Sequence, residues 1–400
     1  MTKKLSILNV GPTPPRLGGS AFVNIETMIH LAERGHHVRA ISQLSASQLA
    51  SPDHDRSWRG TGVEVFPIEA EFQPSSKPLS RKELKDKADL IQSQFMQLVR
   101  EERPDIVMVG HESQSFYVNE FARKMGIPVL QVLHGTPTHL IDRGVFPPWL
   151  SERFMKAVGA ATIVIGVSKY LANIVRGYGI LQTAHIYNGT DTKLFAPRDT
   201  KDPEFLASIG ASLTDKVIMH ASNLKSIKRP LDIIYSAAIA LDSDPSLRYV
   251  FVGDGPLRAE MEEVAEQLDI SSRVSFVGKT TYEKMPEFFQ HAEVFILSSE
   301  QEGFGRVIRE AQACRTVPLA SNIGPMGEVI DHGRTGVLYE KGNVHALAAE
   351  TLALTRNEER RRHMGTQARL VAEAYDIAAM VADYESALSA PHDFLKQKTL

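Results

Sequence analysis

The chain has a single cysteine and no long apolar run, and these two features exclude several classes of protein. One cysteine, Cys314, in 400 residues excludes an internal disulfide and any metal site built from several cysteines. No apolar stretch approaches the roughly 20 residues that cross a bilayer, and residues 1–4 lead directly into a predicted strand instead of a signal peptide. We therefore expect a soluble, cytoplasmic protein in which Cys314 is a buried helix residue and not a nucleophile.

The sequence also lacks a large excess of positive or negative charge. The 45 Lys and Arg residues nearly balance 48 Asp and Glu residues, giving a net charge of -3, so the basic excess typical of nucleic-acid binding is absent. The first half is slightly basic, which is compatible with an anionic acceptor or with contact at a membrane surface but requires neither. The 14 histidines include no His-Glu-x-x-His pattern, and we predict no metal ion.

The alternation of apolar runs predicts the fold class. Four hundred residues exceed what one hydrophobic core usually serves, and strand-like runs alternate with helical patterns throughout. This predicts an α/β protein with two doubly wound parallel sheets. The predicted strands of the first sheet are Leu5–Val10, His37–Ser42, Val63–Ile68, Ile106–Val109, Val129–Leu133, Ala161–Gly166 and Ala184–Tyr187. Those of the second are Lys216–His220, Tyr249–Val252, Val274–Val277, Val294–Leu297, Val317–Ala320 and Gly336–Tyr339.

A polar segment with two prolines, Phe195–Pro203, separates the two series of strands and is predicted to be the linker. We place the first domain over residues 1–195 and the second over residues 196–374. Doubly wound sheets bind ligands beyond the carboxyl ends of their strands, so two such domains facing each other would share one cleft.

Two carboxylates around a glycine turn are the most informative motif. Glu302 and Glu310 flank the turn Gly303-Phe304-Gly305, which precedes a predicted helix over residues 307–313. Glycines let the backbone approach a ligand closely, and the N–H groups at a helix start favour anions or hydroxyl oxygens. Glu310 lies about two turns along this helix and can face the same side. By itself, the spacing is equally typical of an ordinary strand-turn-helix with solvated acids.

Other segments change this interpretation because they occur in a particular order. They are Pro15-Arg16-Leu17-Gly18-Gly19, His134-Gly135-Thr136, Val167-Ser168-Lys169-Tyr170, Tyr187-Asn188-Gly189-Thr190-Asp191, Val252-Gly253-Asp254-Gly255-Pro256-Leu257 and the Glu302 to Glu310 element. Together they resemble the retaining glycosyltransferases of the GT-B fold, family four, over nearly the whole chain. The resemblance implies two Rossmann-like domains, an acceptor-side domain first and a nucleotide-sugar-binding domain second, with a last helix over residues 375–390 that crosses back to the first.

The resemblance also implies which residues bind the donor diphosphate. Gly18 and Gly19 would face it, and Lys228 matches the diphosphate-binding lysine of the family. This chain departs from the family pattern G-R-L-x-x-x-K-G because Asn223 stands at the usual arginine position. Lys225 or Arg229 would then supply the second positive charge.

The remaining donor contacts follow from the same resemblance. Glu302 and the Gly303, Phe304 and Gly305 turn would hold sugar hydroxyls, and Glu310 would accept hydrogen bonds from the ribose, since a carboxylate suits a vicinal diol. His134 would bond the donor sugar near the reacting carbon. The predicted catalytic residues are His134, Lys228 and Glu302, the predicted base platform is Val277, Gly278 and Lys279, and the acceptor-side candidates are His111, Glu112 and Arg143.

The predicted function is transfer of a hexosyl unit from a nucleotide diphosphate sugar to a hydroxyl acceptor with retention of configuration. UDP-glucose or UDP-N-acetylglucosamine is the expected donor, with GDP-mannose next, and neither a cofactor nor a metal is expected. The alternatives are a nucleotide-sugar epimerase or a phosphorylase of similar architecture, and a catalytically silent sugar-nucleotide-binding subunit. A nicotinamide dehydrogenase is disfavoured because the fingerprint G-x-G-x-x-G is absent. The acceptor and the oligomeric state stay open.

Overall fold

The structure is a computed structural model that describes residues 3–15, 18–52, 54–70 and 80–398. Its chain divides into two compact units. The first comprises Met1–Asn188 and Ala378–Leu400, and the second comprises Gly189–Ile377. The chain therefore passes from the first unit to the second after Asn188 and returns after Ile377.

The first unit is built on a parallel sheet of seven strands in the order β3-β2-β1-β4-β5-β6-β7. Its strands are β1 Ser6–Val10, β2 His37–Leu44, β3 Val63–Glu69, β4 Ile106–Val109, β5 Val129–Leu133, β6 Ile163–Gly166 and β7 Thr183–His185. Its helices are α1 Gly19–Glu33, α2 Ala46–Leu49, α3 Arg81–Glu101, α4 Ser115–Lys124, α5 Thr136–Asp142, α6 Pro148–Gly159, α7 Lys169–Gly177, and α16 Ile377–Ser389 and α17 Pro391–Lys398 at the C-terminal end. The central strands are buried on both faces, as expected for a sheet covered by helices.

The second unit repeats this arrangement with a parallel sheet of six strands in the order β10-β9-β8-β11-β12-β13. Its strands are β8 Lys216–Ala221, β9 Leu247–Val252, β10 Val274–Gly278, β11 Val294–Leu297, β12 Val317–Ser321 and β13 Val337–Tyr339. Its helices are α8 Pro203–Ser208, α9 Pro230–Ser243, α10 Arg258–Gln267, α11 Met285–His291, α12 Arg306–Ala313, α13 Met326–Val329, α14 Val344–Arg356 and α15 Glu358–Ala374.

The predicted fold class is confirmed: two α/β units carry parallel sheets of seven and six strands. Each of these strands overlaps a predicted one, with ends that differ by at most two residues. Runs of Val, Ile and Leu bounded by turn residues predicted them because strands buried on both faces have no polar alternation.

The unit boundary differs in position from the predicted linker. Phe195, where the predicted linker begins, is fully buried in the second unit, where its ring lies 5.3 Å from that of Tyr282 and 6.0 Å from that of Phe289. The end of the second unit pairs with its start, because Thr190 N–H donates to Tyr375 O and Ile377 N–H donates to Thr190 O. A polar, proline-containing composition therefore marks an ordered connection inside the second unit.

The C-terminal segment is held on the first unit by a buried carboxylate. Glu385 on α16 accepts a hydrogen bond from Arg34 Nη1 at 2.9 Å, and its other oxygen lies 3.0 Å from His36 Nε2. His36 Nδ1 accepts the Leu5 N–H, so the ring proton resides on Nε2 and is donated to Glu385. The His36 side chain is fully buried, and the Glu385 side chain is 12% exposed. This arrangement ties α16 to the residues just before β1 and β2.

We expect Glu385→Ala to lower the free energy of unfolding by about 1–3 kcal/mol, because it leaves the buried Nε2–H of His36 without its acceptor. Chemical unfolding measures this. The matched control is Glu358→Ala, whose ion pair with Arg362 is exposed and should contribute under about 1 kcal/mol. Equal effects of the two changes would contradict the role of Glu385.

Candidate functional site

The strand order of the second unit creates a crevice at the carboxyl ends of β8 and β11. These strands are neighbours in the sheet, but the chain leaves β8 towards β9 on one side and reaches β11 only after β10. Ligands of doubly wound sheets bind where the strand order reverses in this way. The segment after β8 carries Lys228, and the segment after β11 carries Glu302.

Lys228 and Glu302 meet at this point, although they are 74 residues apart in the chain. Lys228 Nζ lies 2.5 Å from Glu302 Oε1, and the same oxygen accepts the Ser299 hydroxyl at 2.7 Å. The Lys228 side chain remains 23% exposed and that of Glu302 11% exposed. The pair therefore places one ammonium group and one carboxylate at the surface of the crevice.

Hydrogen bonds from the β11 side hold the backbone around Lys228. The Ser298 hydroxyl lies 2.8 Å from the carbonyl oxygen of Lys228 and 2.9 Å from that of Arg229. Glu300 N–H donates to Ile227 O at 2.8 Å. Because Ser298 is fully buried, these bonds are shielded from water and fix the position of the lysine relative to the strand.

Two glycines allow another backbone to approach the start of the same loop. A Cβ on Gly253 would lie 1.9 Å from Ser222 O, and one on Gly255 would lie 2.1 Å from Asn223 O. Neither contact is possible for a residue with a side chain. The Gly253-Asp254-Gly255 motif, which lacks the third glycine of a dinucleotide fingerprint, therefore packs against the loop that carries Lys228.

A buried histidine, which the sequence interpretation did not include, completes this support. His220 Nδ1 lies 2.9 Å from Ile296 O and Nε2 lies 2.8 Å from Ser222 Oγ. Since the carbonyl can only accept, the proton is on Nδ1, and Nε2 accepts the Ser222 hydroxyl, whose oxygen in turn accepts Leu224 N–H. Burial, with a smaller contribution from the nearby Lys228, lowers the pKa of His220 to about 4, so the ring stays neutral at physiological pH.

Arg229 and Lys225, the two candidates for a second positive charge, differ in their surroundings. Arg229 contacts both carboxylate oxygens of Asp232, at 2.7 and 3.2 Å, and this bonding raises the pKa of its guanidinium. Lys225 is exposed at the edge of the same loop. Arg229 thus has an acidic partner on α9, while Lys225 extends into solvent.

The glycine turn after Glu302 leads into α12 as predicted. Gly305 is the N-cap with a φ of 81°, and no side chain caps the helix. The positive φ of Gly305 favours glycine, and a Cβ there would lie 2.8 Å from Met326 Cε, which would have to shift. Phe304 is buried, which anchors the turn and leaves its backbone next to Glu302.

Glu310, one side of the predicted pair of carboxylates, lies inside α12 beside Arg306. Arg306 Nε is 3.0 Å from Glu310 Oε1, and the two side chains are 7% and 5% exposed. The Arg306 guanidinium also lies 4.9 Å from the centre of the Tyr282 ring and bonds the Tyr282 hydroxyl. The predicted base platform, Val277, Gly278 and Lys279, lies a few residues before Tyr282, at the end of β10, where Gly278 O accepts Gly253 N–H at 2.7 Å.

The first unit brings its own candidates together at the ends of β4 and β5. The His111 and His134 rings stack with centroids 5.6 Å apart and an interplanar angle of 14°. Glu112 is fully buried, and its carboxylate accepts His134 N–H at 2.7 Å and Gly135 N–H at 2.6 Å. Glu112 thus positions His134 and the start of α5, and its place on the acceptor side stays a prediction.

Two pKa values in this cluster are shifted by burial. Burial raises the pKa of the Glu112 carboxyl to about 7, although the backbone N–H groups that it binds act in the opposite direction. Burial lowers the pKa of His134 to about 4, so its imidazole is neutral at physiological pH. A neutral imidazole can donate one hydrogen bond and accept another, which suits contact with a hydroxyl group.

The other candidates of the first unit are exposed. Gly18 is the N-cap of α1 and Gly19 its first residue, and no side chain caps this helix. Among the described residues, nothing lies within 4 Å of a Cβ added at either glycine. Arg16 and Leu17 of the same motif lie outside the described residues. Arg143 is exposed at the C-terminal end of α5.

Comparison with known proteins identifies this arrangement. The model of the glycosyl transferases group 1 matches residues 201–371, and the model of glycosyltransferase family 4 matches residues 17–194. The chain is a family-four glycosyltransferase of the GT-B fold. The glycosyltransferase is 28% identical over 381 residues to the N-acetyl-alpha-D-glucosaminyl L-malate synthase of Bacillus anthracis, covering 93% of this chain and 94% of that protein.

Other relatives agree with this family. The D-inositol 3-phosphate glycosyltransferase of Nocardiopsis dassonvillei is 27% identical over 57% of each chain. Among solved structures, Anabaena HepE in complex with UDP matches with a TM-score of 0.78 and 20% identity, covering 96% of this glycosyltransferase and all of that chain. Sucrose-phosphate synthase from Thermosynechococcus elongatus matches with a TM-score of 0.76 and 19% identity over 95% of this chain and 97% of that one. These two likenesses show the fold.

The described part of the glycosyltransferase contains neither a metal-binding cluster nor a membrane-spanning helix. No three His, Cys, Asp or Glu residues there are grouped so that they could hold a metal ion. None of the helices described has both the length and the apolarity needed to span a bilayer. Cys314 is buried at the end of α12, and burial raises the pKa of its thiol, so it is not a thiolate at neutral pH.

Several functional contacts of the glycosyltransferase were beyond sequence reasoning. His220, Ser222 and Ser298 have no motif of their own, since their importance comes from hydrogen bonds that link separate strands. A polar residue at the end of an apolar strand was the only available signal. Arg306 and Tyr282 were missed because 24 residues separate them and nothing in their spacing relates one to the other.

The shifted pKa of Glu112 predicts a specific pH dependence of stability. Because the folded pKa of about 7 exceeds the ordinary value of 4.5, the folded state binds this proton more tightly than the unfolded state. The contribution is fully present below about pH 4.5 and is lost as the pH rises through 7. Relative to Glu112→Gln, which cannot titrate, the wild type should lose up to about 3 kcal/mol of unfolding free energy across this window.

Urea unfolding at a series of pH values measures this difference. The control is Glu120→Gln on α4, whose partly exposed side chain should leave the curve parallel to that of the wild type. Parallel curves for the wild type and Glu112→Gln would contradict the assigned proton.

Proposed function

We propose that this glycosyltransferase moves a hexosyl group from a UDP sugar, glucose or N-acetylglucosamine, to a hydroxyl group of a small anionic acceptor, with retention of configuration and without a metal ion. The observation that carries the proposal is the 2.5 Å contact of Lys228 Nζ with Glu302 next to the uncapped start of α12. A cation suits a diphosphate, and a carboxylate together with helix-end N–H groups suits sugar hydroxyls.

Lys228 is assigned to the leaving group. When the bond between the sugar C1 and the phosphate oxygen breaks, negative charge grows on the β-phosphate, and a fixed ammonium group directed at it lowers the barrier. The contact with Glu302 holds the lysine side chain in place. Lys225 is the assigned second cation, because Arg229 already contacts both oxygens of Asp232.

The sugar is assigned to Glu302 and the turn that follows it. The Glu302 carboxylate accepts sugar hydroxyls, while N–H groups of Gly303, Phe304 and Gly305 donate to sugar oxygens. His134, with a neutral imidazole, is assigned a hydrogen bond to a sugar hydroxyl. Gly18 and Gly19 are assigned to the diphosphate, Val277, Gly278 and Lys279 to the base, Glu310 to the ribose, and His111 and Arg143 to the acceptor side.

The chemical step needs no enzyme nucleophile. The acceptor hydroxyl oxygen attacks C1 on the face that the diphosphate leaves, so the C1–O bond to the acceptor forms where the C1–O bond to phosphate breaks. The hydroxyl proton goes to the departing phosphate oxygen. Lys228 stabilises the resulting UDP, and the anomeric configuration is kept.

The relatives support the substrate classes. The first named relative transfers to L-malate by its name, and several others act on D-inositol 3-phosphate. Both acceptors combine a hydroxyl group with an anionic group. HepE was solved with UDP and with UDP-glucose, which supports a uridine donor.

A panel of donors tests this proposal. Thermal unfolding should shift upwards with UDP-glucose or UDP-N-acetylglucosamine, since a ligand that binds only the folded state stabilises it. Release of UDP should then depend on added L-malate or inositol 3-phosphate and persist in EDTA. No stabilisation by any nucleotide sugar would contradict the proposal. Conversion of the donor to its epimer without an acceptor would favour the epimerase instead.

Lys228→Ala should lower kcat/KM for the donor by about 100- to 1,000-fold, because it removes the cation that stabilises the leaving group. Steady-state kinetics with a saturating acceptor measures this. Lys193→Ala serves as the matched control, since this exposed lysine lies in the same unit but outside the crevice. An unchanged rate for Lys228→Ala would refute its assignment.

A further inference from the structure

Arg306 and Glu310 form a buried ion pair on the first turn of α12. They are four residues apart on one helix face, with Arg306 Nε 3.0 Å from Glu310 Oε1. Burying two charges carries a large desolvation penalty, so such a pair often adds little to stability compared with apolar side chains of similar size. Arg306 directly follows Gly305 of the sugar-binding turn, which places the pair beside the proposed donor site.

Tyr282 restrains the arginine from a different element. The Arg306 guanidinium lies 4.9 Å from the Tyr282 ring centre and also bonds its hydroxyl group. Tyr282 begins the short 3-10 helix Tyr282–Lys284, which follows the proposed base platform. Its ring in turn lies 5.3 Å from that of buried Phe195. The guanidinium is therefore held on one side by an anchored aromatic ring, and its Nε lies 3.0 Å from Glu310 Oε1 as an ion pair.

We propose that Arg306 is a positioning residue that orients the Glu310 carboxylate for the ribose of the donor and so sets the preference for ribonucleotides over 2′-deoxyribonucleotides. This rests on the proposed function, in which Glu310 binds the ribose. A vicinal diol is bound best when a carboxylate oxygen faces each hydroxyl group, which requires the carboxylate plane to be fixed. Arg306 fixes it by holding one oxygen, and Tyr282 keeps Arg306 from following a moving carboxylate.

The orientation requires the shape of a guanidinium as well as its charge. Arginine presents Nε along its planar group while its face lies on an aromatic ring, and lysine offers a single rotatable point charge. Arg306→Lys should therefore keep the charge near Glu310 but only part of the orientation. Arg306→Met keeps the approximate side-chain volume and removes both the charge and the orientation of Glu310.

Isothermal titration with UDP and with 2′-deoxy-UDP tests the proposal without relying on turnover. The wild type should bind UDP at least about 10-fold more tightly than 2′-deoxy-UDP, because a hydroxyl bonded to a carboxylate is lost. Arg306→Met and Glu310→Gln should each weaken UDP by about 10-fold and weaken 2′-deoxy-UDP less, because that ligand has only the 3′-hydroxyl contact to lose, so that the ratio falls towards one. The double variant should lose no more than either single one, and Arg306→Lys should give an intermediate ratio.

Arg334→Met is the matched control, since this exposed arginine pairs with Asp331 and not with Glu310, and its ratio should equal that of the wild type. If Arg306→Met and Arg306→Lys weakened both ligands equally, or left the ratio unchanged, the role of Arg306 would be overturned. UDP binding by the wild type would still support the proposed donor. Failure of the wild type to bind UDP, GDP or ADP would contradict the proposed function itself, and this inference with it.

Discussion

The contact between Lys228 and Glu302 is the interaction on which the candidate site depends. It joins the segment after β8 to the segment after β11 at the place where the strand order of the second sheet reverses. The ammonium group and the carboxylate lie 2.5 Å apart, so each restrains the position of the other. The same point therefore offers a positive group to a diphosphate and a negative group to sugar hydroxyls.

Much of the surrounding structure keeps this contact in register. Ser298 binds the carbonyl groups of Lys228 and Arg229, and Gly253 and Gly255 let their loop pack against residues 222–224. His220 links β11 to the start of the same loop through Ser222. Neutral, fully bonded polar groups are used here, which avoids the penalty of additional buried charges. The strand ends thus hold the loops that carry Lys228 and Glu302.

The fold was predictable from the sequence because its cause is local. Buried parallel strands read as short apolar runs, and those runs located every strand described here. The position of the unit boundary could not be predicted from the sequence. The segment after Phe195 is polar but ordered, and the actual boundary at Gly189 carries no compositional signal. Lys228, Glu302 and Gly305 were found through motif spacing, which reflects a continuous piece of chain. His220, Arg306 and the backbone contacts of Glu112 depend on distant segments meeting, and one sequence does not contain that information.

A crystal structure of the glycosyltransferase with bound UDP is the most direct test of the account. It predicts the diphosphate within about 3 Å of Lys228 Nζ, the distance of a charge-assisted hydrogen bond, with the ribose beside Glu310. A diphosphate bound elsewhere, with the Lys228 and Glu302 contact intact and the start of α12 unoccupied, would contradict it.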